Sequence, residues 1–296
     1  MKAILSFILS LFTATTLISP QTKVITPGIT PAPTAVSQVT VGFVGDLGLG
    51  RHITSTARTK NDFSWSFQGI SSWLLENDFT LANLESPVIA DCPRGDTGTF
   101  TFCGDPKFLP YLQSNKFVFN LNNNHILNYG LDGLSQTKTY LSTDYFYDNF
   151  YVKTVNGIKF GFLGYDFITY PQLDKAQILA RVKLVKPQVD YLIVSIHWGN
   201  EYLPKPEQWR VDFAHQLVDA GVDVIHGQHP HVWQGLEVYK GKYIFYSLGN
   251  FIFDQSWSYA TSHSQIARLI FTKDKIIDSK LFPIEIKFNS QPWLMP

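Results

Sequence analysis

The sequence predicts an α/β fold in which two mixed β-sheets pack as a sandwich. Two observations carry that expectation. Short apolar runs alternate with helix-period segments through the first two thirds of the body, the pattern of strands separated by packed helices. Later, Asn156-Gly157 and Lys240-Gly241 interrupt apolar runs as tight turns do, which adds antiparallel hairpins to the sheets. In order, strands are expected over 39–46, 79–86 and 116–125, in a hairpin over 151–166, over 191–199 and 222–231, and in a hairpin over 236–253. A last antiparallel pair follows in ARLIFTKDKIIDSKLFPIEIKF. Helical periodicity marks 64–77, 131–142, 174–187 and 206–220.

The 296 residues are 45% hydrophobic and 15% aromatic, enough for a sizeable core in one large domain. Lys+Arg and Asp+Glu balance at 24 each, and no basic block interrupts the chain. There is thus no electrostatic footprint for nucleic acid, which is excluded as a partner.

Met1-Lys2 followed by the mostly apolar segment 3–18 has the form of a signal peptide or an N-terminal membrane anchor. Either would send the rest of the chain across a membrane. Residues 19–38, with Pro20, Pro27, Pro31 and Pro33, read as an extended Pro/Thr-rich linker. The body is 39–296. In an exported chain, the close pair Cys92 and Cys103 is expected to form a loop-closing disulfide.

Polar residues gather where the apolar runs end. Strand 39–46 ends in Asp46, 79–86 carries Asn83 and Glu85, 116–125 ends in Asn124-His125, and 191–199 carries His197. HGQHPH, residues 226–231, holds three of only eight histidines. Strand C-termini in α/β proteins border the crevice where ligands bind. Carboxylate, amide oxygen and imidazole together suit Mn, Fe or Zn. His229 and His231, two apart, would project from one side of an extended strand. His226 falls on the other phase and reads as structural, while His52, His215 and His263 read as surface or supporting residues. Arg51, just past Gly48-Leu49-Gly50, offers a fork for a substrate oxygen. Asn250 and Ser247 read as rim residues. Trp198, Tyr202, Trp209, Trp233, Trp257 and Tyr259, strung around these motifs, are a candidate platform for sugar or polymer.

Five blocks, VGFVGDLGLGR (41–51), LANLESPV (81–88), NNNHILNYGLDGL (122–134), VSIHWGNEY (194–202) and GVDVIHGQHPHVWQGLEVYKGKYIFYSLGNFIFD (221–254), occur in this order. Together they resemble the CapA-type capsule and poly-γ-glutamate biosynthesis family, a branch of the calcineurin-like metallophosphoesterase superfamily, over roughly residues 40–256. The resemblance implies a four-layer αββα sandwich with a two-metal site at one edge. Asp46 matches the first aspartate ligand and Glu85 the carboxylate that bridges both metals. Asn124, His197, His229 and His231 match the remaining ligands, and His125 the histidine facing the leaving group. The sequence departs from the wider superfamily at Gly48, where Asp-x-His would place histidine, and at Glu85, where aspartate is usual.

These residues imply a metal-dependent hydrolase, phosphoesterase-like, with two divalent cations, acting on an anionic polymer or a phosphorylated envelope precursor. Cleavage of an amide in a γ-linked polymer is a variant of that chemistry. The rival from another class is a non-catalytic accessory of a membrane-bound polymer synthase complex that keeps the fold.

Overall fold

The computed structural model describes residues 37–93 and 100–296. The apolar segment 1–18 and the linker through residue 36 lie outside the described residues. The strands are β1 (Val39–Leu47), β2 (Phe79–Leu84), β3 (Phe117–Asn120), β4 (Tyr145–Phe146), β5 (Tyr151–Val155), β6 (Ile158–Asp166), β7 (Tyr191–His197), β8 (Val224–Gln228), β9 (Leu236–Tyr239), β10 (Lys242–Phe245), β11 (Asn250–Ile252), β12 (His263–Phe271), β13 (Ile276–Lys287) and β14 (Gln291–Leu294). Among the described residues they form two mixed sheets. One runs β14-β13-β12-β1-β2-β3-β4, with β11 also paired to β1, and the other runs β5-β6-β7-β8-β10-β9.

The sheets pack face to face because one side of each strand is apolar. Phe43, Phe79, Leu81 and Leu269 from the first sheet meet Phe160, Phe162, Ile193 and Phe245 from the second. Each such side chain, fully buried, contributes about 1.5–3 kcal/mol. The outer face of the first sheet is covered by α1 (Arg51–Lys60), α2 (Ser71–Leu75), α3 (Leu109–Ser114) and α4 (Gly130–Leu141), through residues such as Ile53, Leu74, Leu112 and Leu134. That of the second is covered by α5 (Lys175–Val185) and α6 (Gln208–Ala220), through Ile178, Val182, Phe213 and Leu217. A short α7 (Tyr259–Ser262) precedes β12. This is the expected four-layer αββα sandwich.

Both hairpin turns form where expected, but the second hairpin, expected over 236–253, ends at Phe245, and Asn250–Ile252 pairs with β1 in the other sheet. Asn156 (φ 49°) and Gly157 (φ 78°), and likewise Lys240 (φ 49°) and Gly241 (φ 76°), adopt the left-handed backbone that a type I′ turn needs at both positions. Other expectations change as well, and the strand expected over 116–125 ends at Asn120. The helix expected over 64–77 splits into the 3₁₀ turn Trp65–Phe67 and the short α2, with Gly69 between them at a place where a Cβ would meet Pro292 O and the Trp293 ring. Helix α1 is absent from the expected elements, since its sequence RHITSTARTK is rich in β-branched residues; burial of Ile53 and Ala57 outweighs that weak propensity. Finally, the strand expected through His231 stops at Gln228. His229 (φ 94°) and His231 (φ 58°) lie beyond it in left-handed backbone, so extended alternation is not what aims their rings.

His226 is structural, as its phase suggests. It is fully buried, with Nε2 2.7 Å from Val44 O on the opposite sheet and Nδ1 3.0 Å from Ser195 Oγ. Burial pushes its pKa down to about 4. The folded protein therefore refuses a proton that the unfolded chain accepts below about pH 6.5. Stability from this residue is fully present above pH 6.5 and is lost as pH falls through about 4. The loss should reach about 3 kcal/mol. Denaturant melts of wild type and His226→Gln across pH 3.5–7 should diverge by that amount; parallel curves would contradict it.

Candidate metal centre

Parallel pairing in register brings the polar strand ends into one row. In the first sheet Asp46 pairs across with Asn83 on β2 and Asn250 on β11, and Asn83 pairs with Asn120 on β3. In the second, His197 on β7 lies between Asp166 on β6 and Gln228 on β8. The two rows face each other across the end of the sandwich, where Asn83 Nδ2 lies 3.3 Å from His197 Nδ1 and Asn120 Nδ2 donates to Gln228 Oε1 (3.3 Å).

Beyond β3 the chain does not continue as a strand, because asparagine side chains replace the sheet partners. Asn123 donates to Asn83 Oδ1 (3.0 Å) and Leu84 O (2.9 Å), and its Oδ1 accepts from the amides of His125 and Ile126. This turn sets Asn124 Oδ1 2.8 Å from His197 Nε2. After β8, the left-handed turn through Pro230 brings His229 Nδ1 to 3.1 Å from His197 Nε2. His231 Nδ1 reaches Asn250 Oδ1 (2.9 Å) and Asp46 Oδ2 (3.2 Å). Left-handed backbone costs a non-glycine residue on the order of 1 kcal/mol, and here it stands where two imidazoles enter one site.

Asp46, Glu85 and His197 are completely buried, and His231 and His229 nearly so. Glu85 is the hub. Its Oε1 lies 3.7 Å from His231 Nε2, 3.8 Å from His197 Nε2 and 3.9 Å from His125 Nε2, yet it has no hydrogen-bond partner. The surrounding amides explain why. Asn250 donates its NH₂ to Thr261 O and Gln255 Oε1, so its oxygen faces His231 and takes the Nδ1 proton. Asn128 Oδ1 accepts from Phe102 N, so it likewise takes the Nδ1 proton of His125. The Nε2 atoms of both rings are left as bare lone pairs directed at a bare carboxylate oxygen.

Three acceptors facing one another in a buried site are unfavourable unless a cation or a proton lies among them. Burial, then the neighbouring Asp46 carboxylate, pushes the Glu85 carboxyl well above its usual range. Burial alone would raise Asp46 too, but His231 and Asn83 hold it low. Burial also lowers His125 to about 4 and His229 to about 3, so these two rings are neutral near pH 7. Glu85, His229 and His231 form one group of donor atoms within 4.8 Å, and Asp46, Glu85 and His197 form another. The oxygen–imidazole donor set fits a divalent metal site.

Arg51 sits beside the cluster rather than in it. Its Nε donates to Asp254 Oδ2 (3.1 Å), its Nη2 contacts Asp254 Oδ1, and its guanidinium lies 4.4 Å from the Phe102 ring centre. Gly48 contributes no ligand; a Cβ there would meet the Phe253 ring at 2.8 Å. His52, His215 and His263 make their contacts elsewhere, with Thr56, Glu237 and Tyr259. Of the aromatic residues, Trp198 is buried in the core and can form no platform. Tyr202 and Trp257 are exposed and pack edge to face, with the Tyr202 ring 6.3 Å from that of His231.

Sequence reading misses three contributors. Asp254 anchors Arg51, Gln228 ties the two sheets beneath the cluster, and Glu201 brings a carboxylate to 4.0 Å from His231 Nε2. Each lies inside a block noted above, but its role depends on a residue far away in the chain.

The model of the family "Bacterial capsule synthesis protein PGA_cap" matches residues 40–255, which include every residue of the cluster. The chain belongs to this capsule synthesis family. Its capsule-family relatives include the Bacillus anthracis "Capsule biosynthesis protein CapA", 31% identical over 252 residues, covering 75% of this chain and 61% of that protein. This chain therefore spans less than two thirds of that relative's length. The Bacillus subtilis (strain 168) "PGA biosynthesis protein CapA" is 28% identical over 275 residues, covering 84% of this chain and 72% of that one. A Mycobacterium tuberculosis (strain H37Rv) "Probable polyglutamine synthesis accessory protein" is 30% identical over 231 residues, covering 65% and 60%. Among solved structures, a hypothetical protein from Thermus thermophilus superposes with a TM-score of 0.56 at 14% identity, covering 87% of this chain and 100% of that one. That likeness concerns the fold alone.

Proposed function

We propose that this capsule-family protein is a metal-dependent hydrolase of the phosphoesterase type, holding two divalent cations and acting on an envelope or capsular polymer precursor. The observation that carries the reading is Glu85, which belongs to both groups of donor residues and whose Oε1 has no hydrogen-bond partner, as suits a bridging carboxylate. Asp46, Glu85 and His197 would hold one cation, and Glu85, His229 and His231 the other, with Asn124 beside His197. Bound divalent cations supply Lewis acidity and activate water near neutral pH. His125, its Nδ1–H fixed on Asn128, would have to take up a proton at its bare Nε2 before passing it to the leaving oxygen. Arg51, oriented by Asp254, supplies positive charge for a substrate oxygen.

The paired Cys92 and Cys103 and the apolar segment 1–18 support a site outside the cytoplasm, secreted or anchored to the membrane. Among the described residues no helix is long and apolar enough to cross a membrane. The partner would be an anionic polymer or a phosphorylated envelope precursor.

A second reading has its own support. A relative's name includes "accessory protein", and Phe253 occupies the space a ligand at position 48 would need. On that reading the chain is a non-catalytic part of a polymer synthase or export complex. Elemental analysis of the purified protein should find about two equivalents of Mn, Fe or Zn. Phosphomonoester, phosphodiester and poly-γ-glutamate, the last read by chain length, should then be incubated with the loaded protein. Turnover abolished by chelation and by His231→Ala supports the hydrolase; equal inertness of wild type and variant supports the accessory.

A further inference from the structure

A cavity of about 360 Å³ adjoins the metal centre, within the range of small-ligand sites. One wall is the asparagine turn together with Tyr147 and Asp148; the other is the end of β6 and the start of α5. Asn124 belongs to both places: it lines the cavity, and its Oδ1 lies 2.8 Å from His197 Nε2. A molecule filling the cavity would therefore extend to the edge of the metal cluster.

The lining states what it would take. Tyr147, Tyr165 and Tyr170 present phenol rings, and Leu163 and Ile178 supply an apolar floor. Burial pushes Tyr147 and Tyr165 up to about 12, so both remain hydrogen-bond donors. Two aspartates line opposite walls, the exposed Asp148 and the buried Asp166. Asp166, 6% exposed, is held by the amides of Ile168 and Thr169, and the amide of Asp148 donates to Asn122 Oδ1. Asp174 also lines the cavity, but its Oδ1 caps the first turn of α5. Against these carboxylates stands Arg181, the cation among the lining residues, exposed at the mouth. A polyanionic segment entering this cavity would meet three aspartates, Asp148, Asp166 and Asp174, against the one cation Arg181 in its lining. A neutral, polyhydroxylated ring would not. Its hydroxyls can donate to Asp148 and Asp166 and accept from phenols, while its C–H face lies on a tyrosine.

We propose that this cavity is a subsite for a neutral glycosyl group, holding the sugar portion of a substrate whose reacting bond lies at the metal centre. The inference deepens the hydrolase reading and rests on it for the second half of that statement; binding of the sugar does not.

Saturation-transfer NMR on the purified full-length protein tests it, with chitotriose and maltotriose as neutral probes, a γ-glutamyl pentamer as the anionic probe and cadaverine as a diamine. At least one saccharide should receive saturation. That signal should weaken about tenfold in Tyr170→Ala and in Gln177→Trp, which narrows the mouth, and should persist in His231→Ala. Thermal melts should show each variant folded. If neither saccharide binds, if binding ignores both cavity variants, or if the pentamer or cadaverine instead binds in a way those variants abolish, the glycosyl assignment is overturned. Saccharide binding without turnover of any ester or polymer would sink the hydrolase reading and leave the sugar subsite standing.

Discussion

On the two-cation reading, Glu85→Gln is expected to abolish divalent-cation binding while making the metal-free protein more stable. The two effects come from one atom. In the wild type, Oε1 is a buried acceptor aimed at bare imidazole nitrogens, which a cation satisfies and nothing else among the described residues does. Glutamine has the same shape and no charge, and its amide can donate to one of those nitrogens. Removing an unsatisfied buried group is worth about 1–3 kcal/mol. The gain should depend on pH. The Glu85 carboxyl is raised by burial and by Asp46, so its contribution to stability is fully present below the unfolded value near 4.5 and is lost as pH rises through the folded value. Wild type and variant should thus converge near pH 4.5 and separate toward pH 8. Added Mn or Zn should raise the melting temperature of the wild type only, by the linkage of ligand to fold. Turnover should fall about 10³-fold, beyond the 10–100-fold typical of losing an outer partner. A variant that retains its metal, or one less stable than the apo wild type at pH 8, would contradict the role given to Glu85.

Asp254→Ala should destabilise the fold by about 3–5 kcal/mol, lowering the melting temperature on the order of 10 °C. Arg51 and Asp254 are both nearly buried, at 7% and 6% side-chain exposure, and the carboxylate also accepts from the amide of His52. Removing it takes one carboxylate partner from a buried guanidinium, whereas replacing both residues with apolar groups avoids burying that charge. The double variant Arg51→Met/Asp254→Leu should therefore recover most of the lost stability. If Arg51 also serves a substrate, activity should stay low in the rescued protein. A double variant as unstable as Asp254→Ala would show that the ion pair is not what the single substitution breaks.

Much of this site is legible in the chain alone. Asp46, Glu85, His197 and the 226–231 histidines stand at the ends of apolar runs, and parallel pairing compels such ends to share an edge. The finer geometry is not. His229 and His231 read as alternate residues of a strand, but the strand stops at Gln228 and their aim comes from left-handed backbone. Arg51 reads as open to substrate, yet its orientation is set by Asp254, 203 residues away. Trp198 looks like a surface ring because its neighbours are site residues; its indole instead donates to Tyr246 O inside the core.

The sequence by itself determined the alternation of strands and helices, both hairpin turns and the residue types a cation would need. These are local matters, settled by periodicity, glycine placement and donor chemistry within a few residues. Only the tertiary structure decided that Nε2 of His125 and of His231 faces Glu85, that Glu85 is common to both groups of donor residues, and that Phe253 fills the space beside Gly48. Those facts depend on hydrogen-bond partners and packing contacts brought together from distant segments, and no stretch of local sequence contains them.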